Sequence, residues 1–141
     1  MPTITIPAAL DSLATIRDYV EREVPAAFRN QAATVMLVAE ELLVNVFSYA
    51  YPVGFAGSAE VNLAVIDDAG EDKLLFTVKD WGSPFNPFEE APVPDLPLNV
   101  EARPIGGLGV FLIQQVSEKQ TYAYVDGANR IDIVFKKKAE G

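Results

Sequence analysis

The run Val35-Met36-Leu37-Val38-Ala39-Glu40-Glu41-Leu42-Leu43-Val44-Asn45-Val46-Phe47-Ser48-Tyr49-Ala50-Tyr51 decides how the rest of the chain is read. It holds no Gly or Pro and stops at Tyr51-Pro52, where the residue before a proline is pushed out of helical geometry. The pattern predicts a helix from about Asn30 to Tyr51, apolar nearly all round and therefore buried on most faces. Glu40, Glu41 and Asn45 interrupt the apolar background. Glu41 and Asn45 are four apart, so they project from one face, one turn above the other; Glu40 does not share that face. Buried polar groups left unpaired are costly. Neighbouring backbone, each other, or a bound ligand, water or substrate hydroxyl must therefore serve them. The run alone favours the first two; later stretches of the chain reverse that order.

Working outward, the 141 residues suit one domain, 1–141, with a proper core. Half the residues are hydrophobic, which excludes a disordered chain. A net charge of −9 argues against nucleic acid as a partner, since that requires a basic face. Cysteine and histidine are both absent, which excludes disulfides, thiolate nucleophiles, Cys/His zinc sites and any His-based triad or base. No signal peptide and no stretch of membrane-span length is visible, so a cytoplasmic protein without a membrane partner is expected.

Before the central run, Thr3-Ile4-Thr5-Ile6 alternates and ends at Pro7, an edge strand. Leu13, Ile16, Val20 and Val24 recur at helical spacing as far as Pro25. After it, Ala59 to Asp67 and Lys73 to Val78 read as two strands of a hairpin joined by the polar turn 68–72. The second is apolar on both faces, as a central strand is. From Ser83 to Gly106 there is little periodicity and six prolines, a segment better explained as a lid than as a plain connection. Gly106-Gly107-Leu108-Gly109 then opens an apolar helix, and 121–125 with 131–135 form a closing hairpin across Asp126-Gly127-Ala128-Asn129. Paired hairpins do not build a doubly wound parallel sheet. They predict an α/β two-layer sandwich, with a mixed, largely antiparallel sheet and helices on one face.

Three islands could carry chemistry: Glu41 with Asn45, Asp80-Trp81-Gly82, and Gly106-Gly107-Leu108-Gly109. Each alone is weak evidence, but together they suit a nucleotide. Glycines ahead of a helix expose N–H groups to phosphate. This is neither a Walker loop, lacking the following Lys-Ser/Thr, nor a dinucleotide fingerprint, which follows a strand. Asp80 at the mouth of a buried strand can accept from the exocyclic amine of adenine. Gly82 removes a side chain where a flat base approaches. Asn45 offers a neutral oxygen suited to magnesium held mainly by water and phosphates, and Glu41 stands where a base or water-orienting group is wanted.

The stretch from Glu41 through Asn45 to Tyr51 resembles the N box of the GHKL ATPase superfamily, which groups gyrase, histidine-kinase and MutL ATPase domains. Asp80-Trp81-Gly82-Ser83-Pro84-Phe85-Asn86-Pro87 resembles its G1 box, and Gly106-Gly107-Leu108-Gly109-Val110-Phe111-Leu112-Ile113 its G2 box. The Pro-Phe-x-Pro ending and the closing hairpin with Gly127-x-Asn129 are similar to the stand-alone anti-sigma-factor serine/threonine kinases. The resemblance implies the Bergerat sandwich and an Mg-ATP-dependent protein kinase. Glu41 would activate a serine hydroxyl on a partner, Asn45 would ligate magnesium, Asp80 would bind adenine and Gly82 would line the base pocket. Gly107, Leu108 and Gly109 would hold phosphates, Arg103 stands just ahead of them, and 83–106 would be the ATP lid. The implied partners are an anti-sigma-factor antagonist and an RNA polymerase sigma factor, with a homodimer as the assembly. Tyr49 occupies a position where the family usually has histidine, and Asn86 replaces a common Asp. The competing reading is a nucleotide-gated anti-sigma or other regulatory module with little turnover.

Overall fold

A computed structural model describes residues 3–52, 57–90 and 107–137, with backbone alone for Ser48, Tyr49, Glu90 and 107–110. The strands are β1 (Ile4–Pro7), β2 (Ser58–Asp68), β3 (Glu71–Asp80), β4 (Lys119–Val125) and β5 (Ala128–Phe135). The helices are α1 (Leu13–Glu23), α2 (Ala32–Asn45), α3 (Pro87–Glu90) and α4 (Gly107–Val116). The strands form one sheet in the order β1-β2-β3-β5-β4, with β1 at an edge as its sequence predicted. Every described pairing is antiparallel, so the mixed sheet expected from the pattern is corrected to a wholly antiparallel one. The two-helix connection α1–α2 returns the chain to β2 in the opposite sense to β1.

Both hairpins close through two-residue turns with left-handed backbone, Ala69-Gly70 (φ 54° and 86°) and Asp126-Gly127 (φ 54° and 78°). That geometry matches the right-handed twist of the flanking strands. The β2–β3 turn is thus shorter than the five residues 68–72 read from polarity, because Asp68 and Glu71 already pair across the ladder.

Alternation along the strands assigns the core. Leu74, Phe76 and Val78 of β3 face inward, as do Ile131, Ile133 and Phe135 of β5 and Val61 and Leu63 of β2. They meet Ile16, Tyr19 and Val20 of α1 and Val35, Val38, Ala39, Leu42 and Leu43 of α2. Burying each Leu, Ile or Phe contributes about 1.5–3 kcal/mol. Tyr19 lies within this core because its hydroxyl accepts from the Leu63 N–H at 3.1 Å. Leu63 lies beyond the four-residue reach of β1, so its N–H has no ladder partner on that side among the described residues.

α2 ends earlier than the sequence pattern predicted. Ala26–Gln31 is a 3-10 turn ahead of it, and Val46–Ala50 is a π-helical turn after Asn45. Tyr51 then adopts extended geometry (φ −124°, ψ 146°), as a residue before proline should.

Candidate nucleotide site

The inward alternation of β3 does not stop at Val78. It carries Asp80 inside as well, and on β5 the same alternation carries Asn129 inside; the two are directly opposite in the ladder. Polar side chains therefore end two apolar rows, Asp80 4% and Asn129 2% exposed. A narrow cleft opens there, walled by Leu42, Asn45 and Ala50 from the end of α2 and its π-turn, by Asp80, and by Phe85 of the loop that follows β3. Two of the three polar islands of the sequence, represented by Asn45 and Asp80, thus share one cleft.

Asn45 is 3% exposed, and neither its Oδ1 nor its Nδ2 has a hydrogen-bond partner among the described residues. Of the three ways of serving it, neighbouring backbone and Glu41 are not used among the described residues, although Glu41 lies one turn away on the same face, and the side chain lines the cleft. Two orphaned polar atoms in a buried amide are expensive. A ligand entering the cleft would relieve them, and an amide oxygen with water and phosphate oxygens is a donor set that fits magnesium.

Asp80 accepts through Oδ1 from Asn129 Nδ2 (2.9 Å) and from the Gly82 N–H (3.0 Å). No described residue donates to Oδ2. Burial pushes its pKa above the usual carboxylate value, while the bonds from Asn129 and Gly82 oppose that rise. Glu41 is half-buried on α2. Burial first, and then the charge of Glu40, raise its pKa as well. Glu40 itself is committed elsewhere, in an ion pair with Arg17 of α1 at 2.5 Å. Of the two adjacent carboxylates, Glu41 is the one without an ion-pair partner among the described residues.

Gly82 has a structural requirement of its own. A Cβ there would stand 1.9 Å from the Ala50 carbonyl oxygen and 2.5 Å from its carbon. The G1 loop thus lies directly on the π-turn that follows Asn45, and the Ser83 N–H donates to the same carbonyl at 3.3 Å. Since the obstacle is backbone, Gly82→Ala is expected to cost about 1–3 kcal/mol through overpacking. A urea unfolding midpoint equal to that of the unaltered protein would count against this contact.

Tyr51 fastens the same corner. Its hydroxyl donates to Ser58 O (2.6 Å) and accepts from the Trp81 N–H (2.9 Å), and its ring covers Gly57, where a Cβ would stand 2.4 Å away. Sequence reading missed this role of Tyr51, and that of Asn129; neither pairing leaves a local signal. It also missed α3. Asn86 Oδ1 accepts from the Phe88 N–H at 3.0 Å and its carbonyl accepts from the Glu89 N–H at 3.1 Å, with Pro87 at the first helical position. An Asn-Pro pair is a helix start, so the stretch 83–106, expected as a lid with little periodicity, contains a helical turn at Pro87–Glu90.

Gly107 and Gly109 stand in the first turn of α4, which packs against α2. The helix end there favours anions. Arg103, Gly106 and positions 91–106 of the lid lie outside the described residues, as do the side chains of Leu108 and Tyr49. No cluster of three acidic, His or Cys groups able to hold a metal occurs among the described residues. No described helix is long and apolar enough to cross a membrane.

Among solved structures, the chain is similar to the Erythrobacter litoralis EL346 blue-light activated histidine kinase, at 19% identity and a TM-score of 0.53 over 94% of this chain and 42% of that one. The histidine kinase domain from the same protein matches at 19% identity and a TM-score of 0.51, over 94% of this chain and 62% of the other. At that identity the likeness shows the fold, and the chain spans less than two thirds of either. No curated protein matches. Residues 6–135 match the family model described as histidine kinase-like ATPase domain, and the chain belongs to that family.

Proposed function

We propose that this chain binds Mg-ATP in the Asn45–Asp80 cleft and transfers the terminal phosphoryl group to a serine or threonine hydroxyl of a partner protein. The partner class is the anti-sigma-factor antagonist, with an RNA polymerase sigma factor as the regulated target and a homodimer as the assembly. The carrying observation is Asn45, a buried amide whose polar atoms no described residue serves, in one cleft with a buried carboxylate whose Oδ2 no described residue donates to. Family membership and the resemblance of the N, G1 and G2 stretches support the reading.

In this reading Asp80 Oδ2 accepts the adenine amine, and Gly107 and Gly109 offer N–H groups to phosphate at the α4 N-terminus. Asn45 would hold the magnesium ion, which neutralises phosphate charge when bound. Glu41 would take the proton from the attacking hydroxyl as its oxygen bonds to the terminal phosphorus and the bond to the ADP oxygen breaks. Glu41 must be ionised for this, so transfer declines as pH falls through its raised pKa.

The test is a titration with Mg-ATP, Mg-ADP and Mg-GTP, followed by incubation of the ATP complex with antagonist-type partner proteins and labelled ATP. Adenine-selective binding with label on a partner serine supports the proposal. Adenine-selective binding without transfer leaves a nucleotide-gated regulatory module, and no nucleotide binding overturns both. Asp80→Asn sharpens the first step. The amide oxygen can keep both internal bonds, from Asn129 and Gly82, while presenting an N–H to the adenine amine. ATP affinity should fall by about 1.5–3 kcal/mol, roughly 10- to 150-fold, with thermal stability retained. Unchanged affinity would remove Asp80 from the base contact.

A further inference from the structure

Asn129 is the most densely bonded side chain in this corner. Its Nδ2 faces three acceptors, Asp80 Oδ1 (2.9 Å), Ser83 O (3.0 Å) and Gly82 O (3.4 Å). Its Oδ1 faces two donors, the Phe85 N–H (3.0 Å) and the Tyr122 hydroxyl. The neighbours therefore fix which end of the amide is which. Phe85 N–H is shared with the Tyr122 oxygen at 3.2 Å. One amide thus joins four pieces of the chain: the end of β3, the loop 82–85, its own strand β5 and the edge strand β4.

We infer that Asn129 is the positioning residue of the base subsite: it holds Asp80 by one oxygen and pins the loop 82–85 beside it, so that Oδ2 alone is left to read the base. The inference rests on the proposed adenine-nucleotide function and extends it to base selectivity.

The geometry makes the selectivity depend on this bond in two ways. A carboxylate tethered at Oδ1 by Asn129 and Gly82 cannot rotate freely about its last torsion, so its acceptor has a fixed direction. An acceptor suits the amine of adenine and repels the carbonyl that guanine presents at the corresponding ring position. The second dependence is ionisation. Burial favours protonated Asp80, and only the donors Asn129 and Gly82 oppose it, with no charged side chain contributing. A protonated Asp80 becomes a donor and loses its preference for adenine.

Fluorescent ATP and GTP analogues, titrated from pH 5 to 8 against the unaltered protein and the variants Asn129→Ala, Asn129→Asp and Tyr122→Phe, test this. Asn129→Ala removes the donor, and Asn129→Asp turns an acceptor toward three acceptors at nearly constant shape. Both are expected to weaken ATP by about 10- to 100-fold at neutral pH and to weaken GTP much less. The acid limb of ATP affinity should also move toward neutral pH. Tyr122→Phe keeps the ring and removes one donor to Asn129, so a smaller change of the same sign is expected, which keeps the test open if the Asn129 variants fold poorly.

A purely structural role gives a different result: a lower melting temperature, equal losses for ATP and GTP, and an unmoved acid limb. That result, in an Asn129 variant or in Tyr122→Phe, overturns the inference. If the unaltered protein binds ATP selectively, such a result leaves the proposed function standing. If the unaltered protein shows no preference for adenine, both are overturned.

Discussion

Glu41→Gln should reduce phosphoryl transfer to a partner serine by a factor of about 10² to 10⁴, the range that a positioned general base contributes. ATP affinity should stay close to that of the unaltered protein, because in the proposed function Glu41 acts on the incoming hydroxyl and not on the base. Single-turnover transfer of labelled phosphate separates the two quantities. The unaltered protein should lose rate as pH falls through the raised pKa of Glu41. The residual rate of the variant should lack that limb. A variant within about tenfold of full activity would withdraw the base role, since such a loss is below what proton transfer supplies.

The same substitution has a stability consequence of opposite sense. Burial and the neighbouring Glu40 charge raise Glu41's pKa in the folded state, so folding favours the protonated form. For an acid whose pKa rises on folding, stability is fully present below the unfolded pKa and is lost as pH climbs through the folded one. At neutral pH the ionised Glu41 therefore costs stability, and Glu41→Gln should unfold at a higher urea concentration than the unaltered protein. Below pH 4 the difference should vanish. A variant that loses both activity and stability at neutral pH would instead point to a damaged fold.

Asn45→Leu carries the second large effect. Asn45 has two buried polar atoms with no partner among the described residues, and leaving such groups unserved costs about 1–3 kcal/mol. Leucine has the same branching pattern and no polar atom, so it removes that cost. The nucleotide-free protein should be stabilised by roughly that amount, about 1–3 kcal/mol in urea unfolding. In the proposed function the same change deletes the amide that would hold magnesium. Binding of ATP should lose its dependence on added magnesium and weaken toward the affinity measured in chelator. Gain of stability with loss of metal-dependent binding is the signature of a group kept for function. A destabilised variant would show that Asn45 is satisfied in the fold, and undiminished magnesium dependence would place the cation on other groups.

The edge strand β4 and the Asp80 carboxylate are joined through Tyr122 and Asn129. Asp80 was legible as a site candidate because an acidic residue followed by Trp81-Gly82 ends an otherwise apolar strand. Its partner was not. Asn129 lies 49 residues further on in the chain, after a turn and beside Gly127, where an Asn is as easily a turn former. Gly82 was legible as a residue that something approaches closely, but the thing that approaches in the fold is the Ala50 carbonyl. The absence of a side chain says that space is needed; it does not say by what.

By itself the sequence determined the five strands, α1, α2 and α4 and their order, because those follow from local physics. The 3.6-residue and two-residue periods of Leu13 to Val24 and of 59–78, the turn chemistry of Asp126-Gly127 and the proline at 52 each act over a few residues. It also determined that Glu41, Asn45 and Asp80 were out of place in apolar surroundings. The tertiary structure alone decided the register that sets Asp80 against Asn129, and the pairing of Arg17 with Glu40 and not with Glu41. It also decided the π-turn that brings Ala50 against Gly82, and the isolation of Asn45 in the cleft. Each of these depends on two segments meeting, and the free energy of such a meeting is shared by the whole core that forces it. No window of sequence around either partner contains that information.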